Sequence, residues 1–428
     1  MNIAIIGLGY VGLPLCLQFA RSGVRVLGLD IDAKKVRALN AGRSYIQHIP
    51  AAEIKKLVRA KKFSAASDFS RLKEVEAILI CVPTPLKKNH EPDLSFVLKT
   101  GKSIARHLQR GQLVVLESTT YPGTTENELR AVLEAGSKLQ AGKDFHLAFS
   151  PEREDPGNPN SKVAEIPKVI GGYTRGCLSR AVNVYGRALR SLVPVANCRT
   201  AEAAKLLENV FRSVNIALVN ELKGVYAAMD IDVWDVIAAA RTKPFGFMPF
   251  YPGPGLGGHC IPIDPFYLAW KARQVGQETR FVELAGEINR AMPGRVVNRV
   301  AQALASQKKK LRGARVLVLG LAYKANIEDD RESPSYHLLD LLTTRGARVA
   351  YHDPYVPVIK PTREHSHWAG TKSVKWSQKK ISSFDAVIIS TAHDRVDYRK
   401  LAEWAGLIVD TRNVMARYDV PADKVWKA

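Results

Sequence analysis

Residues 2–30 read NIAIIGLGYVGLPLCLQFARSGVRVLGLD. A short β-type run, Asn2–Ile6, passes into Gly7-Leu8-Gly9-Tyr10-Val11-Gly12 and then into an apolar helical stretch. A second β-type run, Arg25–Leu29, ends on Asp30. The reading is strand, turn, helix, strand. In such a turn Gly7 allows a sharp change of direction, Gly9 lets backbone approach a pyrophosphate, and Gly12 lets the helix lie close on the strand. The helix start adds N–H donors and the positive end of its dipole. Asp30, eighteen residues beyond Gly12, offers a carboxylate to both ribose hydroxyls and repels a 2′-phosphate. The expected cofactor is therefore NAD rather than NADP, with Lys35 near the adenosine side. Residues 3–20 carry no formal charge and mimic a membrane span or a signal peptide. Gly7, Gly9, Gly12, Pro14 and the lack of a basic region ahead of them argue for strand–turn–helix, so no membrane partner is expected.

Working outward, β-type runs at Ala77–Cys81, Leu113–Glu117 and His146–Ser150 alternate with amphipathic stretches through about residue 190. Alternation of this kind implies parallel βαβ units with right-handed crossovers. From Thr200 to Met229 the pattern becomes one long helix of good helix formers, without glycine until Gly224. A Gly/Pro-rich loop, Pro252–Pro262, then leads to more helix through about Leu304. A basic linker from Lys308 to Gly313 opens a second α/β unit, with strands expected at Arg315–Leu319, Arg348–His352, Ala386–Ser390 and Leu407–Val409.

The 428 residues are 46% hydrophobic and 24% charged, a composition that excludes a disordered chain and leaves room for two or three domains. The net charge of +22 invites a nucleic-acid reading. The basic residues are dispersed, however, their longest run is Lys308-Lys309-Lys310, and no nucleic-acid motif accompanies them. A basic surface attractive to anionic metabolites is the better reading, with no nucleic-acid partner. Five scattered cysteines, Cys16, Cys81, Cys177, Cys198 and Cys260, suggest reduced thiols and a cytoplasmic setting. No CxxC or CxxH pair exists, so no metal is expected.

Four further motifs carry chemistry. Gly257-Gly258-His259-Cys260-Ile261-Pro262-Ile263-Asp264-Pro265 suggests a loop delivering Cys260 beside a helix start, with Asp264 as N-cap and Pro265 at the first helical position. A thiol there ionises readily and suits a nucleophile; the other four cysteines read as packing, and His259 as a loop histidine or a base. Lys205 and Asn209, four apart on the long helix, project from one face and can meet one ligand. Glu117-Ser118-Thr119-Thr120-Tyr121-Pro122-Gly123-Thr124-Thr125 follows a strand end, where hydroxyls can position water or nicotinamide. Pro151-Glu152-Arg153-Glu154-Asp155-Pro156-Gly157 follows another.

In order and spacing these motifs resemble the UDP-glucose/GDP-mannose dehydrogenase family, essentially end to end. GLAYKANIEDDRESP at 320–334, YHDPYVP at 351–357 and VDTRN at 409–413 extend the likeness. SPEREDPGN at 150–158 and FYPGPGLGGHCIPIDP at 250–265 are most similar to the UDP-N-acetylglucosamine 6-dehydrogenase branch. The resemblance implies an α/β chain of two Rossmann-like parallel-sheet domains joined by a central long helix and helical domain. Residues 1–198 would bind NAD, 199–305 would form a homodimer or higher homo-oligomer through the central helix and carry the catalytic loop, and 306–428 would hold the UDP-sugar. It implies oxidation of a primary alcohol at sugar carbon 6 to a carboxylate, with two NAD consumed.

Carried over residue by residue, Cys260 is the nucleophile that forms a thioester. Asp264, Lys205, Asn209 and Thr119 organise water and stabilise oxyanions, and Glu152 is the base in thioester hydrolysis. Cofactor contacts fall to Gly7, Gly9, Tyr10, Val11, Gly12, Asp30, Lys35, Thr84, Thr119 and Arg331. Substrate contacts fall to Glu152, Arg153, Lys205, Asn209, Tyr251, Gly257, Lys324 and Arg241, with Lys243 as the alternative to Arg241. Ile263 stands where glucose-specific relatives carry Lys, and Pro156 where they carry a second Glu. Both departures favour an N-acetyl sugar, most simply UDP-N-acetylglucosamine, over UDP-glucose. A UDP-glucose or UDP-N-acetylmannosamine 6-dehydrogenase, a two-electron β-hydroxyacid dehydrogenase and a silent nucleotide-sugar-binding protein are the alternatives.

Overall fold

The computed structural model describes residues 1–46, 49–87, 91–153, 165–258, 261–362 and 364–428. Branched apolar residues build its first sheet: Asn2–Ile6 (β1), Arg25–Leu29 (β2), Phe63–Ala66 (β3), Ala77–Ile80 (β4), Leu113–Leu116 (β5), His146–Phe149 (β6), Lys168–Gly172 (β7) and Leu192–Val195 (β8). Their order is β3-β2-β1-β4-β5-β6-β7-β8. β1 to β6 are parallel, as the alternation implies. β7 lies antiparallel to β6 and parallel to β8, so the last two strands run against the rest. They depart from the all-parallel expectation because the chain reverses between β6 and β7, while the helix Arg175–Tyr185 makes the crossover from β7 to β8.

The strand side chains alternate between two cores. Ile3 and Ile5 pack with Leu13, Phe19 and Tyr185, whereas Ala4 and Ile6 pack with Ile78, Val114 and Phe149. With both faces covered, the strands need no polar alternation, which is why β1 and β4 read as continuous apolar runs. The order reverses direction between β1 and β4, and the crevice beyond the carboxyl ends at such a point is where open α/β sheets bind ligands.

The second sheet comprises Arg315–Leu319 (β9), Arg348–His352 (β10), Ala386–Ile389 (β11), Ile408–Asp410 (β12) and Val425–Lys427 (β13), in the order β10-β9-β11-β12-β13 and wholly parallel. Val316 and Val318 face one core, Leu317 and Leu319 the other. Between the sheets in sequence lie the helices Cys198–Ala228, of 31 residues, Val233–Ala240, Asp264–Gln274 and Arg280–Ser306.

The chain divides into two units, Met1–Glu208 with Phe266–Glu278, and Asn209–Pro265 with Thr279–Ala428. Among the described residues no helix is long and apolar enough to cross a membrane.

Candidate active site

The glycine turn sits at the crevice of the first sheet. Gly7 adopts φ +94°, and a Cβ there would lie 2.4 Å from the Cys81 carbonyl oxygen; at Gly12 it would lie 1.9 Å from the Gly7 oxygen. At Gly9 nothing stands within 4 Å, so the backbone is open on the side a pyrophosphate must approach. The helix Gly12–Arg21 has no side-chain cap and no acid in its first turn. Leu13 donates to the Gly9 carbonyl at 3.1 Å and Pro14 has no N–H, so no side chain competes with an anion at this helix start. Asp30 accepts from the Leu8 N–H at 2.9 Å and the Asp32 N–H at 2.9 Å, and Lys35 Nζ stands 3.6 Å away. These residues fit NAD: an open glycine, a helix start with no capping side chain or acid, and a carboxylate fixed at the end of β2.

In the same unit, Thr119 is half-buried just past β5, and Glu152 half-buried just past β6. Lys205 is 8% exposed, and among the described residues its ammonium has no hydrogen-bond or ion-pair partner. Its stem is buried while the ammonium stays open to an anionic ligand. Arg153 pairs with Glu208 at 2.8 Å and donates to the Pro167 carbonyl at 2.6 Å, tying the 151–153 segment to the long helix. Thr84 offers its carbonyl to the Tyr267 hydroxyl, and Tyr121 packs on Trp270 at 4.9 Å. The helix after the cysteine loop is thereby docked on the segments that follow β4 and β5.

Two buried carboxylates that sequence reasoning missed organise this region. Glu202 accepts from the N–H groups of Gly123 and Thr125 at 2.6 and 2.9 Å and from the Thr125 hydroxyl at 2.7 Å. Burial pushes its pKa up to about 7. It ties the hydroxyl-rich turn to the helix start, three residues before Lys205. Glu117 meets Lys168 Nζ at 2.5 Å and the Tyr185 hydroxyl, and Lys168 also donates to the Pro151 carbonyl at 3.1 Å, next to Glu152. Burial raises the Glu117 pKa, with Lys168 opposing it. Burial also opposes the Lys168 charge, but Glu117 and Glu152 outweigh it and hold the ammonium above its usual value. A lysine at the head of a strand gave no sign that a carboxylate fifty-one positions earlier would partner it.

In the second unit Asn209 Nδ2 donates to Asp264 Oδ2 at 2.5 Å, both residues buried. The helix begins at Asp264 itself, one position earlier than the N-cap assignment. Cys260 and His259, like Glu154 and Pro156, lie outside the described residues. Tyr251 stacks on Trp234 at 5.7 Å and accepts from Arg241 at 3.4 Å, whereas Lys243 sits over the Phe245 ring at 5.0 Å. Gly257 lies against Tyr323, where a Cβ would come within 2.6 Å. Lys324 is half-buried in the loop after β9, and Arg331 is clasped by both oxygens of Asp329 at 2.7 and 2.5 Å.

Further cations in this unit were not singled out from the sequence. Arg412, in VDTRN, donates to the Ser390 carbonyl at 2.7 Å and lies against Gly253, where a Cβ would meet its guanidinium at 2.5 Å. Lys223 Nζ is buried without a hydrogen-bond partner. Burial, then the charges of Arg412, Arg295 and Arg299, lower its pKa to about 8, and burial lowers that of Arg412 to about 10. Cations held so close want an anion between them. VDTRN carried the signal, but only packing shows its arginine half-buried against Gly253.

Among the described thiols, Cys16 and Cys198 are buried, and burial raises the pKa of both as it does for Cys81. None has the environment of a nucleophile.

A doubly wound sheet with an open glycine turn, followed by a second, wholly parallel sheet, defines an NAD-dependent oxidoreductase with a separate nucleotide-type domain. The chain belongs to the UDP-glucose/GDP-mannose dehydrogenase family: the family's NAD-binding domain matches residues 1–189, its central domain 199–291 and its UDP-binding domain 317–417. It is 33% identical over 423 residues to a UDP-N-acetyl-D-glucosamine 6-dehydrogenase of Pseudomonas aeruginosa, covering 97% of each chain. It is 34% identical over 438 residues to a UDP-N-acetyl-D-mannosamine dehydrogenase of Escherichia coli K12, covering 100% of this chain and 99% of the relative. The solved UDP-D-ManNAc dehydrogenase of Pyrococcus horikoshii matches with a TM-score of 0.89 at 31% identity, covering 100% of this chain and 98% of the other.

Proposed function

We propose that the protein oxidises carbon 6 of a UDP-N-acetylhexosamine, UDP-N-acetylglucosamine before its manno epimer, through two steps to the uronic acid. The observation that carries this reading is the Asn209–Asp264 bond at 2.5 Å, with the partnerless Lys205 one helical turn earlier on the same helix. Bound NAD supplies the hydride-accepting chemistry, twice per substrate. Oxidation to the aldehyde needs no thiol; oxidation onward needs a tetrahedral adduct from which a second hydride can leave. The Cys260 thiolate attacks the aldehyde carbon to give that adduct, and loss of the hydride leaves a thioester. Glu152 takes a proton from the attacking water, and the Cys260 sulfur departs as the acid forms. Lys205 and Asn209 stabilise the oxyanions, while Asp264 and Thr119 orient water.

We assign residues 1–198 to NAD, 199–305 to dimerisation and the catalytic loop, and 306–428 to the UDP-sugar, held by Lys324 with Lys223 and Arg412 on its phosphates. Exposed Leu207, Phe211, Leu218 and Val225 recur along one stripe of the long helix and support a homodimer. A cytoplasmic role in envelope polysaccharide or glycan synthesis follows from the family likeness and the free thiols.

An NADH-release assay across UDP- and GDP-sugars tests the proposal. Two NADH per UDP-N-acetylglucosamine are expected, and Cys260→Ser should form almost no acid while binding the UDP-sugar near wild-type affinity. One NADH per sugar, or undiminished acid from Cys260→Ser, would refute the mechanism. Turnover confined to UDP-N-acetylmannosamine would refute the choice of sugar.

A further inference from the structure

His337 and Asp340 lie three residues apart on the helix Pro334–Thr344, so their side chains share a face. His365 and His367 return to that face from the segment that precedes Trp368. One ligand-type atom from each of His337, Asp340 and His365 falls within 4.8 Å of the other two. Asp340 Oδ2 stands 3.2 Å from His365 Nδ1, while Oδ1 accepts from the Trp368 indole N–H and meets His367 Nε2, both at 2.7 Å.

Two donors each about 2.0 Å from one tetrahedral Zn²⁺ are separated by about 3.3 Å, so the Asp340–His365 gap is already that of two ligands sharing an ion. Occupying Oδ1 with two partners fixes the carboxylate and leaves Oδ2 to ligate, as outer-shell donors do at metal sites. His365 is 6% exposed, stacks on Tyr336 at 4.7 Å and meets the His337 ring edge-on at 5.1 Å. Its Nδ1 is the nitrogen that faces Asp340 Oδ2, and its Nε2 is buried without a hydrogen-bond partner. Hydrogen bonding within the cluster explains the position of Asp340. It does not explain why an exposed imidazole, His337, is brought to within 4.8 Å of the same carboxylate and the buried imidazole.

The geometry points to a divalent transition-metal site of the Zn²⁺ class, formed by His337, Asp340 and His365 with water completing the shell. Two imidazoles and a carboxylate suit Zn²⁺, with Co²⁺ and Ni²⁺ as substitutes. The ion clamps the 365–368 segment onto the helix. Through Tyr336, which stacks on His365 and donates to Asp330 Oδ2 at 2.6 Å, it also steadies the loop that carries Arg331. The expectation of no metal rested on cysteine spacing, to which a histidine set is invisible.

The test uses the full chain, stripped with chelator and carrying Cys260→Ser so that its thiol does not compete. Titration with zinc chloride should give one tightly held ion per chain and a rise in Tm. Cobalt chloride should give the visible absorption of a four-coordinate site. His337→Ala, an exposed position, should weaken zinc binding at least about tenfold and remove the zinc-dependent rise in Tm; His365→Asn should do the same. The absence of saturable zinc binding, or zinc binding by His337→Ala equal to that of its parent, would overturn the assignment.

Discussion

Replacing Lys168 by Met tests how the buried framework beneath Glu152 is held. The Lys168 ammonium, 8% exposed, bonds Glu117 at 2.5 Å, and Glu117 is fully buried. Removing one partner of such a pair strands the other charge and costs about 3–5 kcal/mol. At about 2–4 °C per kcal/mol in a domain of this size, Tm should fall by roughly 10 °C near pH 8. The loss should depend on pH, with a definite sign. Glu117 is already raised by burial and loses the cation that opposes this, so its folded pKa climbs further. A raised carboxyl contributes stability that is complete below the unfolded value of about 4.3 and disappears as pH rises through the folded value. The deficit should therefore be small near pH 5 and full at pH 8. Lys168, raised in the wild type, keeps its proton across that window and adds no slope there. Thermal melts followed by circular dichroism at both pH values measure it. Glu117→Gln combined with Lys168→Met should recover most of the loss, because no charge is then stranded. A deficit under about 1 kcal/mol, or one equal at pH 5 and pH 8, would refute the reasoning.

Asp30→Ala should raise KM for NAD about tenfold and erase the preference over NADP, a ΔΔG of about 1.4 kcal/mol in cofactor titrations; an unchanged preference counts against the ribose assignment. Gly12→Ala and Gly9→Ala should separate packing from binding. The first places a Cβ 1.9 Å from the Gly7 carbonyl oxygen, a backbone atom, and should cost more than about 2 kcal/mol of stability; the second meets nothing within 4 Å and should leave Tm unchanged while weakening NAD binding. Equal melting losses in the two variants would remove the distinction.

Legibility followed local physics. β1, β2, β9 and β10 could be bounded to the residue because branched apolar runs end at glycine or aspartate. β3, β7, β8 and β13 escaped notice: Phe63-Ser64-Ala65-Ala66 lacks branched residues, Gly171-Gly172 closes β7, Pro194 sits in the edge strand β8, and β13 is a three-residue terminal pairing. Lys205 and Asn209 were visible as a helical pair, and the family resemblance gave them a role, but spacing alone did not. The missing partner of one and the Asp264 bond of the other appear only when the chain is folded.

By itself the amino-acid order determined what is contiguous: the glycine turn with its acidic residue, the alternating strands and helices, the long helix, and the family they define. Those features are local, set by backbone sterics and short-range periodicity. The tertiary structure decided what distant positions share. It set the reversed direction of β7 and β8, buried Glu117 against Lys168, seated Arg412 by Gly253, and gathered His337, Asp340 and His365. Such groupings depend on burial and on charge pairing across the fold, and no spacing along a chain records either.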